Sequence, residues 1–368
     1  MDRDALLAAL RQVSDVVEAR NTIPILSNLL LEVGSGRATV TATDLDVQVR
    51  THFEATGALV TTVAAAKMLA AAQSFKPGKI RIEPNDSATA VTLRQARSVR
   101  TIATLPADDF PLLKPVDDRV CFAIAGDAMA RLFDTAHVAM STEEIRYYLG
   151  GIYLHVAGED LRAASTDGHR LVRAHVALPA GAATMPAVIV GRKTVKLVRK
   201  LLGEAGAEVR LEVGQTRVAF TIGAVSLDAK LVDGTFPDYE RVIPPEAGSV
   251  LRVSRAALVD GVGAVTAIVS PEGDKIKVRS IRLDLSAGEE QSLFARDGTG
   301  TNASESIAGA WNGDMLSIGA NSRYLADIAN IFADAAILDL TISGAANPIR
   351  ITSDTDPDLV AVCMPMRV

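Results

Sequence analysis

The 368-residue sequence repeats one pattern three times, with a period close to a third of its length. A chain that is self-similar at a fixed period folds as copies of one module, so the repeat constrains the architecture more than any single motif. Three segments with helical apolar spacing, residues 2–19, 126–141 and 254–270, open the thirds. In the first, Leu6, Leu10, Val13 and Val17 share one helical face. A β-like run follows each segment: LLLEV at 29–33, IYLHV at 152–156 and IRLDL at 281–285, with starts 123 and 129 residues apart. An aspartate comes next in each third, Asp44, Asp167 and Asp297, spaced by 123 and 130. A second helical segment at 63–75, 191–203 and 321–333 is offset by 128 and 130. Short alternating stretches, KIRIE, EVRLEV and ILDLTI, then show the period of half-buried strands.

Registered elements at a common offset predict three copies of one α+β module. The proline-bearing connectors at 105–118 and 236–248 separate them, which sets domains at 1–118, 119–247 and 248–368. At 48% hydrophobic and 22% charged residues, the chain has enough apolar content to bury a core in each. Its 38 basic and 44 acidic residues give a net charge of −6, which argues against coating nucleic acid nonspecifically but leaves room for a local basic surface. The two cysteines, Cys121 and Cys363, are far apart in apolar strand-like surroundings. They read as buried reduced thiols rather than a disulfide framework or a zinc site, which fits the cytosol. The N-terminus lacks a signal-peptide apolar region, and the longest uncharged stretch, 176–190, is broken by Pro179, Gly181 and Pro186. A soluble cytoplasmic protein with no membrane association is expected.

The common catalytic signatures are missing: no phosphate-binding loop, no H-E-x-x-H, no G-x-S-x-G and no C-x-x-C. Neither a cofactor nor a metal is therefore expected. Gly298-Thr-Gly300-Thr-Asn-Ala303 matches a dinucleotide fingerprint in form, but no amphipathic helix follows to hold a pyrophosphate, and a hairpin is the expectation. The segment STDGHRL at 165–171 has two readings. It is a glycine-bearing turn whose Asp and His satisfy local backbone groups, or Asp167 and His169 form the acid–base pair of a hydrolase.

The second helix of the middle third stands apart. Arg192, Lys193, Lys196, Arg199 and Lys200 carry five positive charges with no acid until Glu204, and they cluster on one helical arc. Val195, Val198, Leu201 and Leu202 take the opposite arc, which leaves a cationic ridge facing solvent. Such a ridge is either a solvated face or a phosphate-contacting surface that positions nucleic acid without reading its sequence.

Several strings carry a family resemblance: NTIPILSNLLLEV (21–33), TATDLDVQV (41–49), LPADDFPLL (105–113), RYYLGGIYL (146–154), STDGHRLV (165–172), VIVGRKTVKLVRKLL (188–202), LVDGTFPDYERVIP (231–244) and VCMPMRV (362–368). Collinearly, they resemble the bacterial DNA polymerase III β subunits, the replicative sliding clamps, least closely over 250–320. The resemblance implies an α+β DNA-clamp fold with three repeated domains per chain. It also implies a head-to-tail homodimeric ring, with helices lining the hole and sheets outside. Such a ring is not an enzyme. It encircles double-stranded DNA without sequence specificity and tethers the replicative DNA polymerase, the clamp loader and other proteins carrying short clamp-binding motifs. A specialised paralogue serving repair, resistance or a plasmid would share these features.

For DNA, the resemblance points to Arg20, Tyr148 and the basic helix from Arg192 and Lys193 through Lys196, Arg199 and Lys200. For partner peptides, it points to a pocket beside the C-terminus. Arg146, Tyr147 and Leu149 would form one wall, and Thr166, Gly168, His169, Arg170 and Leu171 a second. Pro244, Asn321 and Tyr324 would join Val362, Met364, Pro365, Met366 and Arg367 to complete it. Met364, Met366, Leu149 and Leu171 would supply an adaptable apolar floor. At the dimer edge, Arg97, Arg100 and Ile102 would face Ile268, Val269 and Glu272 of the third domain. The chain departs from the family pattern in three places. Gly150 stands where Asn is typical, Gly191 where Pro commonly precedes the basic helix, and Arg100 where an aromatic residue is frequent. Arg100 would weaken closure by removing an aromatic anchor, or pair with Glu272 or Asp274.

Overall fold

The structure is a computed structural model and describes residues 1–18, 22–115, 118–205, 208–269 and 280–367. Along the chain the same order recurs in each third: a helix, three strands, a strand leading into a second helix, then three more strands. Among the described residues the α-helices are α1 (Arg3–Val13), α2 (Ala65–Ser74), α3 (Gly126–Ala136), α4 (Arg192–Ala205), α5 (Arg255–Val269) and α6 (Ser322–Ile331). In the second and third thirds a strand precedes the first helix, Val120–Ile124 and Ser249–Ser254. In the first third only an isolated bridge between Asp2 and Lys79 takes that place.

Local chemistry sets the helix ends. The Asp2 carboxylate accepts from the amides of Asp4 and Ala5 and caps α1, whose Leu6, Leu10 and Val13 are buried. The apolar spacing continues to Val17, yet α1 stops at Val13. The Ser14 hydroxyl donates back to the Leu10 carbonyl, and a 3₁₀ turn covers Ser14–Val16. Asn321 caps α6 in the same way as Asp2 caps α1, through the amides of Arg323 and Tyr324.

The chain forms two compact units. The first comprises Met1–Ala130 and Pro179–Val232. Its antiparallel sheet runs, in spatial order, Leu59–Ala64, Asn28–Gly34, Arg37–Thr43, Val47–Glu54, Val225–Lys230, Arg217–Ile222, Val209–Val213 and Val120–Ile124. The join between the first and second thirds lies inside this sheet, where Val47–Thr51 pair with Ala229–Val225. A separate three-stranded sheet holds Arg81–Pro84, Ala90–Gln95 and Ser98–Ala103.

The second unit comprises Arg131–Leu178 and Asp233–Val368. Its antiparallel run is Gly151–Ala157, Asp160–Thr166, Arg170–Ala177, Leu359–Cys363, Ile349–Thr352, Ile337–Ile342, Ser249–Ser254, Asn302–Trp311, Gly288–Arg296, Ser280–Leu285 and Leu316–Asn321. The join between the second and third thirds again lies within one sheet, where Arg170–Ala174 pair with Cys363–Leu359. Helix α5 lies close on its strands. A Cβ on Gly261 would come 2.6 Å from Ile307 Cγ2 and 2.9 Å from Leu293 Cδ1, so the approach requires glycine.

The three repeated aspartates hold equivalent hairpin turns. Asp44 Oδ1 accepts from the amides of Asp46 and Val47, and Asp167 Oδ1 from those of His169 and Arg170. Asp297 Oδ1 accepts from those of Thr299 and Thr301, in a loop that includes the GTGTNA segment.

Candidate partner pocket, basic helix and open strand edges

The strand join at Arg170–Ala174 brings STDGHRL against the C-terminal strand, so residues far apart in sequence share one wall. The Met364 amide donates to the His169 carbonyl at 2.8 Å, and the Met366 amide to the Gly319 carbonyl at 2.9 Å. A cleft of about 250 Å³ opens beside them, lined by residues that include Glu143, His169, Arg170, Asn321 and Tyr324. Arg170 organises this wall. Its Nε donates to Asp167 Oδ2 at 3.1 Å and its Nη1 to Asp327 Oδ2 at 2.8 Å, while the guanidinium sits 4.3 Å from the Tyr324 ring centre. Arg146 is held bidentately by Glu143, both contacts at 2.9 Å. Gly168 has φ +87°, and a Cβ there would lie 2.7 Å from Arg146 Nη1, so a side chain would displace that arginine.

The accessible apolar surface is narrower than the sequence reading. Met366 is 40% exposed and Tyr147 57%, and Met364 and Pro365 are half-buried, but Leu149, Leu171 and Val362 are buried beneath them. Leu149 and Leu171 therefore belong to the core and offer a ligand little surface. Thr166 serves the turn, its hydroxyl donating to the Arg170 carbonyl and accepting from the Gly168 amide. Pro244 is tied in through its carbonyl, which accepts from Arg350 Nη1 at 3.4 Å; Arg350 pairs with Val362. Arg367 is exposed at the rim. Gly150 closes the Tyr147–Leu149 turn, where a Cβ would lie 3.0 Å from the Tyr147 carbonyl oxygen.

Asp167 and His169 do not form an acid–base pair here. Both Asp167 oxygens are taken by turn amides and Arg170, while the His169 ring stacks on Tyr324 with 6.4 Å between centroids. Among the described residues, no group of three His, Cys, Asp or Glu could hold a metal ion, and no helix is long and apolar enough to cross a membrane. Cys363 is buried as expected, and burial pushes its thiol up to about 12. Cys121 is exposed, which corrects the expectation of two buried thiols, because its position on the edge strand Val120–Ile124 turns it outward.

The basic helix is α4, and the structure corrects its charge balance. Acids distant in sequence answer Lys193 and Lys200. Lys193 Nζ binds the Asp44 carboxylate, donates to the Val16 carbonyl at 2.8 Å and lies 3.6 Å from Glu18. Lys200 Nζ lies 2.7 Å from Asp15 Oδ2. The Asp44 side chain is almost fully buried, so Lys193 serves as its counter-ion. Lys196 is exposed and makes no hydrogen bond or ion pair among the described residues. Arg192 is also exposed and Arg199 half-buried, while Val195, Leu197, Val198, Leu201 and Leu202 are buried. Tyr148 is half-buried, edge-to-face with Tyr147 at 5.8 Å. Arg20 lies outside the described residues.

Among the open strand edges, one lies in the first third and one in the last. Ser98–Ala103 pairs only with Ala90–Gln95 among the described residues. Asn302–Trp311 pairs with Gly288–Arg296 along its length but with Ser249–Ser254 only at Gly309–Trp311, which leaves the edge of 302–308 unpaired among the described residues. Of the expected dimer residues, Arg97 and Arg100 are exposed and Ile268 is 61% exposed. Ile102 and Val269 are buried in their own units, Ile102 opposite the buried Val91, and so add to the cores rather than to an accessible face. Glu272 and Asp274 lie outside the described residues.

Models of the DNA polymerase III β subunit match the chain from end to end: the N-terminal domain at residues 1–114, the central domain at 123–238 and the C-terminal domain at 240–367. The beta sliding clamp of Caulobacter vibrioides (strain NA1000 / CB15N) is 35% identical, covering all of this chain and 99% of that protein. That of Escherichia coli K12 is 32% identical at the same coverage. Among solved structures, the Caulobacter crescentus DNA polymerase sliding clamp superposes with a TM-score of 0.92 at 34% identity, covering 100% of this chain and 99% of the other. A sliding clamp (DNA polymerase III subunit beta) from Bartonella birtlesii, bound to griselimycin, gives 0.94 at 34%, covering 100% and 98%.

Proposed function

Because the chain belongs to the DNA polymerase III β-subunit family, the bacterial sliding clamps, we propose that two copies close head-to-tail into a ring around double-stranded DNA. The ring tethers the replicative polymerase and other proteins bearing short clamp-binding motifs. The observation that carries this reading is the pattern of joins between thirds. Two of the three possible joins are continuous antiparallel sheets of five residue pairs each. The remaining pair of edges, 98–103 and 302–308, belongs to the first and third repeats. A second copy turned head-to-tail supplies each of these two edges with its missing strand.

The domains of this ring are 1–118, 119–247 and 248–368. Duplex DNA is held by topology and by exchangeable phosphate contacts, with Lys196 and Arg192 the leading cations on α4 and Arg20 and Tyr148 contributing. No base readout is involved, and the work is processivity through raised local concentration of the polymerase, not turnover. Partner peptides dock on the C-terminal wall, where Met364, Pro365 and Met366 meet Arg146, Tyr147, His169 and Tyr324. The protein acts in the cytoplasm, where the DNA is.

The test is retention on circular DNA. The protein, loaded onto a nicked plasmid by a clamp loader, co-elutes with it, and one restriction cut releases it within the sliding time. Retention that survives linearisation, or a solution mass that stays at one 38.7 kDa chain at all concentrations, refutes the ring.

A further inference from the structure

The two joins closed within the chain have uncharged, buried positions on the sheet face that carries the helices: Val49, Thr51 and Leu227 in the first, Val172, Ala174 and Ala361 in the second. The repeat identifies their counterparts at the open edges. The last hairpin pairs Thr43 with Gln48, Thr166 with Leu171 and Arg296 with Asn302 place Thr51, Ala174 and Glu305 in register. The pairs Ile222 with Val225 and Gln95 with Ser98 place Leu227 and Arg100 in register. Applied to the open edges, the register of the first join sets Arg100 opposite Ala303 and Ser98 opposite Glu305.

Resting on the dimer reading above, we propose that each seam between copies is fastened by an ion pair between Arg100 of one copy and Glu305 of the other. No charged pair occupies those positions in the joins within the chain. Arg100 pairs with buried Leu93, so it stands on the helix-covered face of its sheet. There its guanidinium lies 5.2 Å from the Phe75 ring centre, and Nε donates to Ser74 Oγ at 3.2 Å. Glu305 pairs with buried Leu293 and shares that face in its own sheet. It is exposed and makes no hydrogen bond or ion pair among the described residues. The two are diagonal neighbours across an antiparallel seam, a separation of roughly 7–8 Å that long side chains span. Phe75 and Ser74 hold the guanidinium at the edge before the second copy arrives, which lowers the ordering cost of the pair.

The chemistry has a consequence for opening. An apolar join loses little when a charge elsewhere changes, whereas a seam fastened by opposite charges is lost when either charge is removed, because its partner is left unanswered as the seam closes. On the helix-covered face the seams between copies therefore differ from the joins inside each copy, whose cross-strand ion pair, Lys230 with Asp46, lies at the end of the first join, and opening a seam leaves both joins intact.

The full-length protein tests this by sedimentation equilibrium. Arg100→Glu and Glu305→Arg each raise the dimer dissociation constant by roughly tenfold or more, and the two together return it to within about threefold of the starting value. Arg97→Glu, changing the cation in the turn just before the strand, is not rescued by Glu305→Arg. A second variant, Arg100→Leu with Glu305→Thr, installs the residues of the first closed join and gives a dimer whose dissociation constant varies less with salt than the parent's. If the parent dimerises but the charge swap shows no rescue, or the rescue follows Arg97, the Arg100–Glu305 pair is refuted and the dimer stands. A parent that remains monomeric refutes the dimer itself.

Discussion

Removing residues 364–368 separates the pocket from the fold in a way the structure quantifies. The deleted segment contributes two backbone hydrogen bonds, from the Met364 amide to His169 and from the Met366 amide to Gly319. At about 1 kcal/mol net each, their loss costs about 2 kcal/mol. Two effects offset one another around that figure: the freed residues regain conformational entropy, while loss of the half-buried Met364 and Pro365 gives up apolar burial. The strand Leu359–Cys363 keeps its pairing with Arg170–Ala174, so the sheet stays intact. For a body of roughly 150–250 residues, 2 kcal/mol lowers the melting temperature by about 4–8 °C. Peptide affinity falls much further. Met364, Pro365 and Met366 form the accessible apolar part of the wall, and loss of such a cluster weakens binding by about thirtyfold or more. The assay pairs a thermal melt with fluorescence anisotropy of a labelled peptide containing Gln and bulky apolar residues. Unchanged peptide affinity in the truncated protein, or loss of cooperative unfolding, refutes the assignment.

Two further predictions concern charge. On α4, Lys196→Ala lowers the salt dependence of DNA binding by about one counterion and leaves the melting temperature unchanged. Lys193→Ala instead destabilises the first unit by about 2 kcal/mol, since it strands the buried Asp44 carboxylate; binding and urea unfolding measured on both variants check the division. The thiols react unequally. With its pKa pushed up to about 12 by burial, Cys363 stays protonated and unreactive between pH 7 and 10, whereas exposed Cys121 alkylates, so mass spectrometry of the native protein after iodoacetamide shows one adduct and after denaturation two.

Much of the architecture was legible in the sequence because local signals repeat in register. The helices begin at the expected places, where a capping Asp2 or Asn321 or a preceding strand sets their start, and the three aspartates fall at equivalent turns. The end of α1 was overestimated because apolar spacing carries no trace of the Ser14 back-bond. The departures from the expected exposure and charge pairing at the sites share one cause: residue type does not say which way a side chain faces or what comes to meet it. Leu171, Ile102 and Val269 have the right chemistry for an interface and are nevertheless buried. Lys193 and Lys200 read as a free ridge because Asp44, Asp15 and Glu18 are more than 140 positions away in sequence and are brought near only by folding. The role of Arg170 as the bridge between Asp167 and Asp327 had no local signature either.

The aspartate turns show how a repeated module diversifies. In each copy one carboxylate oxygen holds the hairpin, and the second is left over at the same address. In the first third that spare acceptor meets Lys193 of α4; in the second it meets Arg170 at the C-terminal wall; in the third, among the described residues, it meets only the Thr299 hydroxyl. The scaffold is thus indifferent to the use of the second oxygen, and a copy changes its role when a single answering group changes. An amide in place of the acid would keep the hairpin in every third, yet it would silence the two copies whose spare oxygen answers a cation.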